Sequence, residues 1–223
     1  MENISIAILC GGKSSRFKSD HLNFMKRESS DLENKLNYHI NGYPLYEINY
    51  RKFERYTDDI FLQGMNIDSL RCYDDIYEDK GPLGGIYSAL QNANYEKVLV
   101  IAGDMPLLKT VLIDEFKKFL ENLIIVPRWS SGYLEPLCSV YSKSTSKYIE
   151  DFLKNNILKV SDIYDHFKDV KYLSIQNLIE NGKITENCFI NINTNDDLGN
   201  LVMKSGYEVV SNLKINNTNI RKK

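Results

Sequence analysis

The sequence predicts a doubly wound α/β protein in three layers, a mostly parallel sheet with helices on both faces. Two observations predict it. Short apolar runs rich in β-branched residues recur along the 223-residue chain and read as buried strands. Between them lie stretches with apolar residues at near-helical spacing, and alternation of this kind builds βαβ units.

Taken in order, Ile4–Leu9 (ISIAIL) reads as the first strand. In LNYHINGYPL a short strand meets an Asn41-Gly42 turn, and Pro44 then opens a helix over Pro44–Tyr56, with Leu45, Ile48, Tyr50 and Phe53 on its apolar side. Ile60–Leu62 is a second main strand. LGGIYSALQNA is a helix loosened at its start by glycines, and Lys97–Asp104 (KVLVIAGD) is the strongest strand. Thr110–Leu120 is amphipathic, LIIVP and Leu137–Tyr141 are strands, and Ser144–Asn155 and Ser161–Phe167 read as helical. CFINI is expected as a last strand and Thr194–Lys204 as a last helix. Phe17–Asn34 is charged and without period, an inserted loop. One domain over 1–205 is expected, with a frayed polar tail at 206–223.

Length and composition set limits. A chain of this size buries a proper core, and 43% hydrophobic with 26% charged residues is ordinary for a globular protein. A net charge of -2 gives no general pull toward nucleic acid or anionic membrane, so an anionic ligand must be held by local arrangement. Cys10, Cys72, Cys138 and Cys188 form no C-x-x-C pair and read as small hydrophobes in a reducing compartment. MENISIAILC lacks the basic start of a signal peptide, and no apolar run is long enough to span a bilayer. A cytoplasmic protein is expected.

In open parallel sheets ligands bind beyond the carboxyl ends of the strands, and the strand ends carry the chemistry here. ILCGGKSSR (8–16) contains the Gly-Lys-Ser that closes a Walker loop, but the first glycine of that loop would have to stand at Ala7, inside the strand. Spacing excludes a P-loop. What remains is a Gly11-Gly12 turn followed by Lys13, Ser14, Ser15 and Arg16, which is either plain turn chemistry or a backbone approach to a phosphate ligand with donors to match. Asp104, at the end of the strongest strand, is either a turn residue before Pro106 or a Mg²⁺ ligand, since Mg²⁺ takes one or two carboxylates and completes its shell with phosphate and water. DDIYEDKGPLGG (74–85) is a glycine-rich loop, merely flexible or shaped to wrap a base and ribose.

Together ILCGGKSSR, a lysine seven residues before the glycine of NGYPL, DDIYEDKGPLGG, AGDMP, PLCSVY and NINTNDDL resemble the molybdenum cofactor guanylyltransferases in order and rough spacing, from Ile4 to about Leu201. Wider relatives with the same strand–GG–S–R entry include cytidylyltransferases and sugar-nucleotide enzymes. The resemblance implies a Rossmann-like nucleotidyltransferase fold. It also implies transfer of GMP from GTP to the terminal phosphate of molybdopterin, free or metal-loaded, with release of pyrophosphate and dependence on Mg²⁺. It implies that Leu9, Cys10 and Gly11 contact the nucleotide through the backbone, and that Lys35 reaches the phosphates. Asp74, seven positions before Gly81, is similar to the nucleotide-contacting aspartate, and Asp104 to the residue that binds nucleotide and Mg²⁺. Gln63 falls where the family often has an asparagine. Gly12 matches the guanine-using branch, where cytidine users show Ala-Gly, and Arg16 with Lys13 would flank the pyrophosphate.

Two features depart from the pattern. Cys10 replaces a common alanine, and the Phe17–Asn34 insert separates Arg16 from Lys35, with Asp20-His21 standing where a shorter alignment would want Asp-Lys. Lys35 is preferred because GYPL follows it at the usual distance. In NINTNDDL, Thr194 with Asp197 is capping-box logic, while Asn191 or Asn193 would touch the acceptor in relatives. His21, His39 and His166 show no ligand spacing. Trp129 and Tyr133 either flank a flat pterin or pack as loop aromatics. The alternatives to a guanylyltransferase are another nucleotidyltransferase, acting with CTP or on a sugar or small-acid phosphate, or a non-catalytic nucleotide-binding protein.

Overall fold

A computed structural model describes residues 3–11, 36, 39–40 and 42–192. The expected insert at 17–34, the last helix over Thr194–Lys204 and the tail lie outside these residues.

The strands are β1 (Ile4–Leu9), β2 (His39–Ile40), β3 (Tyr43–Pro44), β4 (Ile60–Gln63), β5 (Cys72–Tyr73), β6 (Lys97–Ala102), β7 (Ile124–Arg128), β8 (Cys138–Ser142) and β9 (Val170–Ser174). The helices are α1 (Leu45–Phe53), α2 (Gly81–Asn92), α3 (Val111–Phe116), α4 (Ser146–Lys154) and α5 (Ile175–Glu180). Seven strands form one sheet in the order β5-β4-β1-β6-β8-β7-β9, and β2-β3 is a separate hairpin. From β5 to β6 the sheet is parallel, and β7 pairs with β9 in parallel. Only β8 runs against its neighbours.

Every residue of β1 and β6 is buried, as expected of central strands covered on both faces. Alternate side chains divide between two cores. Ile6, Ile8, Leu99 and Ile101 pack with Ile48 and Phe53 of α1 and Phe116 of α3, whereas Ala7, Leu9, Val98 and Val100 pack with Leu83 and Ile86 of α2 and Ile149 and Leu153 of α4. That is the three-layer arrangement the alternation predicts.

At the amino edge the sheet is tied by a buried polar knot. Asp59 accepts from Ser5 Oγ and the Arg71 guanidinium, and its Oδ2 takes the Asn94 N–H at 2.7 Å. These bonds tie β1, the start of β4 and the segments before β5 and β6 together at that end of the sheet. Among the described residues no helix is long and apolar enough to cross a membrane. All four cysteines are free, and Cys10, Cys138 and Cys188 are buried as the apolar runs predict.

The structure corrects several elements. CFINI is no strand: Glu186–Phe189 is a 3-10 turn whose Cys188 and Phe189, with Ile192, fill the core without pairing. The last described strand is Val170–Ser174, an edge strand with a weak burial pattern that hides it from a periodicity reading. Ser161–Phe167 is a 3-10 segment at Val160–His166. GPLGG belongs to the first turns of α2 rather than to a loop. Gly85 is there because α2 abuts β1, where an added Cβ would lie 3.3 Å from Leu9 Cδ1.

Candidate active site

Parallel pairing brings the carboxyl ends of four strands into one line. Leu9 pairs with Gln63 on one side and Ala102 on the other, and Gln63 pairs with Tyr73. The hydrogen-bond ladder continues past the strands: Cys10 N–H donates to Gln63 O (2.8 Å), Gly64 N–H to Tyr73 O (2.8 Å) and Gly103 N–H to Leu9 O (2.9 Å). Gly11, Gly64, Asp75 and Asp104 are thus set by rigid elements, although each sits just beyond one.

Over β1, β4 and β5 lies a cleft of about 680 Å³, lined by Leu9, Gly11, Gln63, Gly64, Asp74, Asp75, the 78–82 turn and Gly85. Its floor is backbone. A Cβ on Gly11 would meet Asp75 Oδ2 at 2.9 Å, and one on Gly64, at φ +81°, would meet Gly11 Cα at 2.7 Å. Two glycines therefore let two chains touch and leave peptide groups, not side chains, facing a ligand. The walls are acidic: Asp74, Asp75, Glu78 and Asp79 against Lys80, whose ammonium is engaged by Asn156 Oδ1 (3.0 Å).

Of the two adjacent aspartates, Asp74 is exposed, while Asp75 is part-buried against Gly11 and Gly64. Burial pushes the Asp75 carboxyl above its ordinary value; the Gln63 hydrogen bond pulls it back, and Asp74 pushes the same way as burial. Spacing from Gly81 singles out Asp74 and passes over Asp75. The signal that separates them is which one turns inward from the end of β5, and that depends on tertiary packing.

Gln63 is 1% exposed and its amide is consumed internally. Its Nε2 donates to Asp74 O (2.9 Å) and Asp75 Oδ1 (3.0 Å), and its Oε1 accepts from Asn92 Nδ2 (3.0 Å). It borders the cleft but works as a tie between β4, the aspartate loop and α2. Cys10 is buried with its thiol pushed up, first by burial and then by Cys72 and Asp104, so it has no nucleophile character.

Asp104 stands on the other side of β1 from the cleft, at the end of β6, part-exposed. Its carbonyl accepts the Ile192 N–H at 2.9 Å, which puts Asn191, exposed and one residue away, beside this strand end. Leu36 is 4% exposed, and its Cδ2 lies 3.3 Å from where a Gly103 Cβ would be. The residue following Lys35 is therefore packed on the residue preceding Asp104. Gly12, Lys13, Arg16, Lys35 and Asn193 lie outside the described residues.

Among the described residues no three His, Cys, Asp or Glu side chains gather closely enough to hold a metal by themselves. A hard, part-exposed carboxylate such as Asp104 fits an ion that draws its other ligands from phosphate and water. Trp129 is engaged in packing: its Nε1 donates to Glu135 Oε1 (2.7 Å) and its ring meets Phe189 edge-on at 6.0 Å, while Tyr133 is 67% exposed. His166 lies edge-on to Phe152, and His39 is an exposed residue of β2.

The chain is similar to known proteins over most of its length. The probable molybdenum cofactor guanylyltransferase of Thermococcus kodakarensis is 34% identical over 206 residues, covering 87% of this chain and 92% of its own. That of Clostridium perfringens strain 13 is 30% identical over 203 residues, covering 90% and 96%. The crystal structure of molybdopterin-guanine dinucleotide biosynthesis protein A from Archaeoglobus fulgidus shares the fold at a TM-score of 0.68 and 21% identity, covering 87% of this chain and 95% of that one. Residues 6–168 match the model of the MobA-like NTP transferase domain, and the chain belongs to that family.

Proposed function

We propose that this protein transfers GMP from GTP to the terminal phosphate of molybdopterin, free or metal-loaded, and releases pyrophosphate. One observation carries the reading: a backbone-floored cleft and the Asp104 carboxylate flank the same turn, Leu9–Gly11, at the carboxyl edge of the sheet. The names of the relatives support the choice of nucleotide and acceptor.

The acid-walled cleft takes the base and ribose, because four carboxylates repel a triphosphate. Asp75 Oδ2, on the Gly11 side, accepts from a base edge that donates two N–H groups, as guanine does. The peptide groups of Leu9–Gly11 lie along the nucleoside, and the triphosphate passes over β1 toward Asp104. Lys13 and Arg16, which follow the turn in the chain, and Lys35, next to Leu36, neutralise the phosphates. Asn191 orients the acceptor beside Asp104. Both phosphates are ionised near neutral pH, so alignment and charge neutralisation do the catalytic work and no strong base is required. Asp104 would hold Mg²⁺, whose chemistry when bound is to draw charge from the α-phosphate and the leaving pyrophosphate.

The test is pyrophosphate release from GTP, ATP and CTP with Mg²⁺, with and without molybdopterin. Release from GTP that requires the acceptor is expected. Equal or better turnover with CTP overturns the guanylyltransferase reading.

A further inference from the structure

The carboxylate at Asp104 is only as well placed as the turn that carries it, and that turn holds itself poorly. Within it, Met105 N–H reaches Ala102 O, and Leu108 N–H reaches Met105 O, at 3.4 Å each, the far end of hydrogen-bond range. From outside, Gly103 N–H to Leu9 O and Ile192 N–H to Asp104 O (2.9 Å each) tie its backbone, and one face of α1 supplies the side-chain donors. Asn49 Nδ2 gives both its hydrogens to the turn, to Ala102 O and Met105 O at 3.1 Å each. One helical turn later the Lys52 ammonium donates to Pro106 O and, at 3.4 Å, to Leu108 O. Two side chains of one helix thus grip four carbonyls on either side of Asp104.

Both residues are poor choices for stability alone. Asn49 is fully buried, and its Oδ1 finds no partner among the described residues, an unfavourable burial. Lys52 is a half-buried cation with no carboxylate within salt-bridge reach among the described residues; desolvation, then Lys109, lowers its pKa to about 8. The same helix follows directly on β3 of the β2–β3 hairpin, and Leu36 packs beside Gly103, next to Asp104.

We propose that Asn49 and Lys52 are positioning residues that fix the Asp104 carboxylate for metal-dependent nucleotidyl transfer. The proposal rests on the function given above, in which Asp104 is the metal ligand. Its test measures Mn²⁺ affinity of the complex with α,β-methylene-GTP by electron paramagnetic resonance, which needs neither turnover nor acceptor. The Mg²⁺-dependent kcat and the GTP KM are measured alongside it. Lys52→Met is expected to weaken Mn²⁺ and lower kcat by about 10- to 100-fold, the usual effect of losing a group that orients a metal ligand. GTP KM should change far less, and Lys52→Arg should restore most of the loss. Where Lys52→Met does not fold, Asn49→Ala is read on the same axes, with the same expected loss. A folded variant with wild-type Mn²⁺ affinity and kcat overturns the proposal. Wild-type protein that releases no pyrophosphate overturns the proposed function instead, and the Mn²⁺ comparison still decides this inference.

Discussion

Gly64→Ala tests whether the floor of the cleft depends on two backbones in contact. Gly64 has φ +81°, and an L-residue in that region costs about 1–2 kcal/mol. Its new methyl would lie 2.7 Å from Gly11 Cα and 2.8 Å from Gly11 N, so the two strand ends must part by roughly 0.7 Å to restore ordinary contact at 3.4 Å. Gly11 has little room to yield, because the Cys10 N–H to Gln63 O and Gly103 N–H to Leu9 O bonds fix its segment. Overpacking of this kind costs about 1–3 kcal/mol, for a total of about 2–5 kcal/mol. Gly182→Ala supplies the control: its φ is +66°, but nothing lies within 4 Å of the added Cβ, so only the conformational cost applies. Urea unfolding of both variants separates the two contributions, and GTP affinity reads the cleft. Gly64→Ala should lose more stability than Gly182→Ala, and it alone should weaken GTP. Equal losses with unchanged GTP affinity would refute the contact argument.

Asp104→Asn keeps shape but loses charge, and turnover should fall by roughly 10²-fold or more while the thermal midpoint holds; near-normal activity with unchanged Mg²⁺ dependence removes its role. Lys35→Ala should weaken GTP use sharply, whereas Lys18→Ala and Lys26→Ala on the insert should not; the reverse pattern in GTP kinetics shows the register to be wrong. Asp59→Ala breaks the buried knot at the amino edge and should cost about 3–5 kcal/mol in urea unfolding with GTP KM unaltered, since the cleft lies at the other end of the strands. Lys52 makes stability depend on pH: its native pKa of about 8 lies below the ordinary 10.5, so the unfolded chain binds the extra proton between these values. Stability should therefore rise with pH across that window by up to about 3 kcal/mol, and the wild type minus Lys52→Met difference in urea midpoint isolates it from the buried thiols.

Most of the fold is legible because buried central strands and amphipathic helices leave strong periodic signals, as at Ile4–Leu9 and Lys97–Ala102. Two failures have a common cause. CFINI is apolar because it fills the core as coil, and VKYLS is a strand that looks polar because it lies at an edge. Burial, not strand formation, is what an apolar run reports. The direction of β8 had a visible signal in SSGY: Gly132 (φ +90°) turns the chain, Gly132 N–H returns to Trp129 O at 2.9 Å, and so short a link joins antiparallel strands. At the site, strand ends and glycines were readable, but which of Asp74 and Asp75 is the half-buried one was not. One residue of register turns a side chain to the opposite face, and neighbouring identical residues carry no mark of which is inward.

On the proposed function, the charge pattern around Gly11 would set which way a nucleotide lies. On the β4–β5 side stand Asp74, Asp75, Glu78 and Asp79, and the chain continues from Gly11 into Lys13 and Arg16. Two like charges 4 Å apart repel by about 4 kcal/mol at an effective dielectric of 20, so a triphosphate turned into the acid-walled cleft meets several such penalties at once. A neutral base with N–H donors meets none and gains acceptors. With a net charge of only -2 the molecule as a whole offers no such preference. On the proposed function, the nucleoside would lie in the acid-walled cleft and the α-phosphate over β1, between that cleft and Asp104, where an acceptor phosphate could reach it.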